Sequence, residues 1–215
     1  MRSIPAAWRW TFVGLIAVIA LAVALWPRTQ SRGPSAAPAA SAQQADSGVT
    51  AAQRSAAALA ACPRPAAGDT AAAAGPLAGI SLDCLSDGRP VNLAAALAGR
   101  PALVNLWAYW CQPCAQELPA LQQFADRAGS ALTVLTVHSD PDEAKALARL
   151  QELNVHLPGV QDGAAQVRAA VGAPPVLPVS VLVRADGSIA KVEVQAFTDA
   201  GQIAETVAAD LGVRV

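Results

Sequence analysis

The segment that most constrains this chain runs from Ala102 to Ala128. "ALVNLWAY" (102–109) is a near-continuous apolar run of strand length, and it leads straight into "WCQPC" (110–114). An apolar run without alternation belongs to a strand buried on both faces of a sheet. From about Cys111 to Ala128 the pattern predicts a helix with Pro119 inside it. Two cysteines therefore sit where a strand ends and a helix begins. Free backbone N–H groups and the helix dipole stabilise a thiolate there, which lowers the pKa of Cys111 and makes it reactive. Cys114, one turn in, is expected to be more buried and placed to resolve a mixed disulfide by attacking the sulfur of Cys111. Pro113 suits a first helical turn, which needs no N–H donor at that position.

A Cys-x-x-Cys pair alone is open to other chemistry. A structural zinc site normally takes four Cys or His ligands. The chain has four cysteines and two histidines, but Cys62 and Cys84 form no second close pair, and His138 falls at the end of a strand. A haem-attachment motif needs histidine directly after the second cysteine, where Ala115 stands. A strained structural disulfide within the motif is a further alternative. The strand-to-helix junction favours redox chemistry, with no metal and no cofactor expected.

The surrounding pattern predicts an α/β sheet protein. "GISLDCL" (79–85) reads as a strand, "DGRP" (87–90) as a turn and "NLAAALAG" (92–99) as a short helix ending at Gly99. "ALTVLTVHS" (131–139) is the next central strand. "SDPDEAKALARLQELN" (139–154) is a helix with Ser139 or Asp140 as cap, Pro141 in its first turn, and Asp142 and Glu143 at the positive end of its dipole. A short helix follows near 163–172. "VSVLVRADGSIAKVEVQ" (179–195) is a hairpin turning at Asp186–Gly187, and 199–212 closes the chain as a helix capped by Asp199 or Thr198.

The N-terminal part differs in kind. Thr11–Trp26 is sixteen residues without a charge, an amide or a proline, flanked by Trp8, Trp10 and Trp26. This is just short of the ~20 residues of a membrane span, and snorkelling of Arg9 extends it. The expected organisation is a short cytoplasmic tail (1–9), a transmembrane anchor (10–27), a disordered Ala/Pro/Ser-rich tether (28–59) and one domain (60–215). A cleaved signal peptide is the competing reading. Either way the domain reaches an oxidising compartment, as its cysteines suggest. That domain carries ten Lys plus Arg against fifteen Asp plus Glu and no basic run, so nucleic-acid binding has no support.

"VNLWAYWCQPCAQELPAL" (104–121) closely resembles the extracytoplasmic thioredoxin-like TlpA/ResA/DsbE family, through Trp107, Ala108, Trp110, Cys111, Cys114 and Pro119. The resemblance covers roughly residues 77–212. It implies a thioredoxin-like fold, a central mixed sheet flanked by helices, preceded here by the expected transmembrane helix. It implies a thiol–disulfide oxidoreductase with Cys111 and Cys114 as the catalytic pair. Asn105 stands where thioredoxins carry a buried aspartate, and asparagine cannot act as a base. Glu117, three residues after Cys114, fills the acidic place of the group and is expected to exchange a proton with the resolving thiol. Pro178 matches the superfamily's cis-proline facing the dithiol. Leu177 before it, and Trp110, would touch substrate.

With Cys111 and Cys114 paired by the redox motif, Cys62 and Cys84 become the natural second pair, a structural disulfide; an accessory redox relay is the alternative. The family implies protein thiol or disulfide substrates, apocytochrome c among them, and a membrane electron-transfer thiol protein as redox partner. The expected function is a membrane-anchored reductant of protein disulfides in cytochrome c biogenesis. Its alternatives are a DsbE-like oxidant of exported proteins, or a redox-inactive binding or chaperone module on the same fold.

Overall fold

The computed structural model of the protein describes residues 48–65 and 75–215. Within them the order is α1 (Ala51–Ala57), β1 (Ser81–Cys84), β2 (Pro90–Asn92), α2 (Leu93–Leu97), β3 (Ala102–Trp107), α3 (Gln112–Ala128), β4 (Thr133–His138), α4 (Glu143–Glu152), β5 (Gly159–Gln161), α5 (Gln166–Ala170), β6 (Val179–Val183), β7 (Ile189–Glu193) and α6 (Ala200–Leu211). The seven strands make one sheet in the order β2-β1-β5-β4-β3-β6-β7. β3, β4 and β5 run parallel to one another; β6 is antiparallel to β3, and β7 and the β1–β2 pair add antiparallel flanks. This is the mixed sheet with flanking helices that the resemblance implied.

Every residue of β3 is buried, which explains its uninterrupted apolar run. Its side chains alternate between two layers. Leu103 and Trp107 join Leu118, Leu121 and Phe124 of α3, Leu147 and Leu150 of α4, and Ile203 and Val207 of α6. Val104 and Leu106 join Leu93 and Leu97 of α2, Val167 of α5, and Val179, Val181 and Val183. Burying each such side chain contributes about 1.5–3 kcal/mol relative to leaving it exposed. Asn105 is the polar exception in β3 and is fully buried.

Two short strands were not expected: β2 begins in the predicted turn at 87–90, and β5 falls between two predicted helices, where no element was assigned. Their partners supply what their three residues cannot: Leu82 aligns with Val91, and Cys84 with Val160. α4 begins later than expected, with Asp142 as its cap; its side chain accepts from Lys145 N at 3.2 Å. Asp140 is used one step earlier, its Oδ1 accepting from Asp142 N at 2.8 Å in a turn around Pro141. At α6 the cap is Asp199, which accepts from Gly201 N and Gln202 N.

Residues 48–59, counted with the tether in the sequence reading, contain α1. A reciprocal capping box of Thr50 and Gln53 starts this helix. Arg54 in its last turn pairs with Glu143 at the start of α4 and donates to Leu85 O at 2.9 Å.

The transmembrane helix in the expected architecture is corrected. Among the described residues no helix is long and apolar enough to cross a membrane. The expected anchor at 10–27 lies outside the described residues, and its sixteen-residue uncharged run is shorter than the ~20 residues a span needs. The described fold is the thioredoxin-like domain, with no such helix among the described residues, and it gives no support to a signal-anchor or to assignment to the cell membrane.

The sheet order brings three segments to one edge. β3 ends at Trp107, aligned with His138 at the end of β4, while Leu106 aligns with Val179 at the start of β6. The continuations 108–111, 139–140 and 177–178 therefore meet at the same end of the sheet. Ser139 N donates to Trp107 O at 2.8 Å across the gap.

Candidate active site

Cys111 is the N-cap of α3. Its N–H donates to Ala108 O at 3.0 Å, closing the turn out of β3. Its Sγ accepts from Cys114 N at 3.2 Å, so one of the helix's free donors already points at this sulfur. Pro113 lies in the first turn, where its missing N–H costs nothing. Cys111 and Cys114 are joined in a disulfide, with Cys111 5% exposed and Cys114 fully buried.

Glu117, one turn beyond Cys114 on α3, is also fully buried. Its Oε2 accepts from Asn105 Nδ2 at 3.0 Å and its Oε1 from Phe197 N at 3.2 Å. Burial pushes its carboxyl up to about 7, against the lowering pull of the Phe197 N–H and the Asn105 amide. At neutral pH this group is thus poised between acid and carboxylate, one helical turn from the buried Cys114. Asn105 also donates to Ser180 Oγ at 3.1 Å, linking β3 to β6 under the dithiol.

The remaining site candidates fall around this centre. The Leu177–Pro178 peptide is cis, and Pro178 is buried immediately before β6. Leu177 is half-buried and packs against both apolar layers. Trp110 is 60% exposed beside Cys111. Its Nε1 donates to Asp140 Oδ2 at 3.0 Å, which, with the Asp142 N–H, holds the Asp140 carboxyl below its usual range despite some burial. Trp107 is buried and tilted against His138, with ring centroids 5.0 Å apart. Burial lowers the pKa of His138, and its Nδ1 meets Gln161 Oε1 at 2.9 Å. An open groove between Trp110 and α4 is lined by Tyr109, Trp110, Lys145, Ala148, Arg149 and Glu152; Lys145 Nζ sits 5.0 Å from the centre of the Tyr109 ring.

Cys62 and Cys84 form the second disulfide, away from this junction, with their Cα atoms 6.0 Å apart. The structure brings Cys111, Cys114, Glu117, Asn105, Trp110 and Pro178 to one end of the sheet and leaves Cys62 and Cys84 outside it. Ser180 and the Phe197 N–H were not singled out from sequence, and Asp140 only as a helix cap, not as the partner of Trp110. Ser180 left a signal, as the lone polar residue in "VSVLV" of a fully buried strand. The Phe197 contribution comes from a backbone group and leaves none.

Residues 66–209 match the family model described as Redoxin. Thiol-disulfide oxidoreductase ResA of Bacillus subtilis is 25% identical over 115 residues, 53% of this chain and 63% of that protein. Thiol:disulfide interchange protein DsbE of Pseudomonas fluorescens biotype C is 38% identical over 60 residues, 28% of this chain and 32% of that protein. The matched part thus spans less than two thirds of the length of either curated relative. A solved structure, a secreted Mycobacterium tuberculosis disulfide oxidoreductase homologous to E. coli DsbE, shares 26% identity. It superposes with a TM-score of 0.54, covering 62% of this chain and 97% of that one.

These findings correct the leading functional expectation. They back its alternative, a DsbE-like oxidant of exported proteins, better than a membrane-anchored reductant of cytochrome c biogenesis. The relative that carries the match is a secreted disulfide oxidoreductase, and no described helix is long and apolar enough to cross a membrane.

Proposed function

This chain belongs to the Redoxin family, as a thioredoxin-like member of the DsbE/ResA/TlpA group, and we propose that it is a thiol–disulfide oxidoreductase that donates its disulfide to exported proteins. The observation that carries the reading is the Cys111 sulfur, capped by the Cys114 N–H at the start of α3, next to a buried Cys114 and Glu117.

In the proposed cycle a substrate thiolate attacks Cys111 Sγ. The Cys111–Cys114 bond breaks, its electron pair goes to Cys114, and a mixed disulfide joins substrate to Cys111. Protonated Glu117 supplies a proton to the buried Cys114 thiolate. A second substrate thiolate then attacks the substrate sulfur of the mixed disulfide and releases Cys111 as a thiolate. The substrate loses two electrons and two thiol protons and gains a disulfide; the Cys111–Cys114 pair gains the two electrons.

The direction follows from which state is stabilised. A helix N-terminus that stabilises the Cys111 thiolate stabilises the reduced enzyme, which makes its disulfide the stronger oxidant. The secreted relative supports an extracytoplasmic, secreted or periplasmic location. Reduced protein thiols are the substrate class, apocytochrome c being one candidate with paired cysteines. A membrane electron-transfer thiol protein in its disulfide form is the class of partner that would reoxidise Cys111 and Cys114, taking their two electrons and leaving as a dithiol. Trp110 and Leu177 form the contact surface for substrate.

Equilibration with glutathione tests the direction. The expected potential lies toward the oxidising end, near about −120 to −180 mV, with oxidation of a reduced unfolded protein; a value near about −270 mV overturns it.

A further inference from the structure

The Asn105 carboxamide has one end too many. Its Nδ2 spends its donors on Glu117 Oε2 at 3.0 Å and Ser180 Oγ at 3.1 Å. Its Oδ1 is buried and has no hydrogen-bond partner among the described residues. A buried acceptor left this way costs about 1–3 kcal/mol.

Glu117 gives the arrangement a use. Both carboxylate oxygens already accept a hydrogen bond, Oε1 from Phe197 N and Oε2 from Asn105 Nδ2. A proton on the lone pair that either donor occupies meets that donor head-on, and a proton on the other lone pair finds no hydrogen-bond acceptor in this arrangement. The Phe197 donor is backbone and cannot turn away. The Asn105 donor belongs to a side-chain amide, and half a turn about its last torsion exchanges Nδ2 for Oδ1. In that orientation Oδ1 accepts from the Glu117 O–H and from the Ser180 O–H. Asn105 thus makes two hydrogen bonds to the same neighbours with Glu117 in either state, and the unpartnered end is exchanged rather than added.

We propose that Asn105, held between Glu117 and Ser180, is a two-orientation positioning residue whose amide turns as Glu117 gains or loses its proton, with Ser180 as the hydroxyl that serves both orientations. The groups facing Glu117 are Asn105 from β3, the Phe197 backbone ahead of α6 and, through Asn105, Ser180 from β6. On its own helix the neighbours are Cys111 and Cys114, which do not titrate while joined. No charged side chain contributes to the Glu117 shift. Its use in turnover rests on the reading of Glu117 as proton partner of the dithiol; the turn itself requires only the buried carboxyl.

The test uses the oxidised, isotope-labelled full chain and needs no turnover. The Glu117 carboxyl carbon and the Asn105 side-chain NH2 are followed by NMR from pH 5 to 9. Both are expected to report one shared midpoint. The NOE between the Asn105 amide protons and the Ser180 β protons is expected above that midpoint and lost below it. Glu117→Gln is expected to abolish the Asn105 step. Ser180→Ala removes one hydrogen bond from Asn105 in each orientation and leaves the Glu117–Asn105 bond in both, so the Asn105 step and its shared midpoint with Glu117 are expected to persist. Asn105 signals and NOEs that stay constant while Glu117 titrates overturn the proposal, as does an Asn105 step that survives Glu117→Gln. An enzyme without oxidase activity in which Asn105 still follows Glu117 leaves the turn standing and removes only its place in the reaction.

Discussion

The two disulfides are equally hidden and differently equipped. Cys62 and Cys84 are 5% and 0% exposed, and Cys111 and Cys114 are 5% and 0% exposed. Burial therefore does not separate a staple from a reactive pair in this protein. What separates them is the polar chemistry around the sulfur. Cys111 caps a seventeen-residue helix and accepts a backbone N–H; its partner lies one turn from a carboxyl poised near neutrality. Cys84 lies in a strand and Cys62 in an irregular segment, 22 residues apart in sequence, with no helix start at either sulfur. The Ser86 hydroxyl lies 3.2 Å from Cys84 Sγ, but neither sulfur of the second pair caps a helix, so stabilisation of a leaving thiolate by a helix N-terminus is confined to the first pair.

The sharpest way to break this contrast is to remove each disulfide in turn. Cys111→Ser is expected to lower disulfide-exchange activity by roughly 10³-fold or more, since the nucleophile itself is lost. The paired change Cys62→Ser and Cys84→Ser is expected to keep exchange activity while lowering unfolding stability by about 3 kcal/mol, from the loop it no longer closes. Denaturant melts alongside a turnover assay check both; loss of activity without loss of stability in the second variant would give that pair a relay role.

Glu117→Gln sharpens the contrast by pH. The carboxyl ionises near 4.5 when unfolded and near about 7 in the fold, so between those values the folded state holds the extra proton. The stability linked to that proton is fully present below 4.5 and lost as pH rises through about 7, a decline of ~3 kcal/mol. Glu117→Gln should flatten this slope in melts at pH 5 and pH 8, where changes at Cys62 and Cys84 should not. The smallest expected effect is at the rim. Trp110→Ala should reduce the kcat/KM for a protein substrate by about tenfold, chiefly through KM, with little change toward a small thiol.

The site was legible where its chemistry is local in sequence. The apolar run of β3 and the cysteines at its exit mark the junction because strand and helix meet within five residues. Glu117 is legible by helical spacing. Its setting is not: Asn105, Ser180 and the Phe197 N–H come together only through the sheet and the approach to α6, the last from 80 residues away. β2 and β5 were missed because three residues carry no periodicity, and pairing with β1 creates them. The cap of α4 was misplaced between neighbouring candidates, Ser139, Asp140 and Asp142, because all three are good caps; the turn around Pro141 engages Asp140 and leaves Asp142 for the helix.

The docking of α1 has a consequence in time. Arg54 must wait for Glu143, 89 residues later in the chain, and Ala57 O meets His156 across 99. At synthesis rates of about 5–20 residues per second, the first helix of the domain exists for seconds before its partners do. The N-terminal arm is thus first to be made and among the last to be seated, and closing it over α4 marks the arrival of the chain's second half.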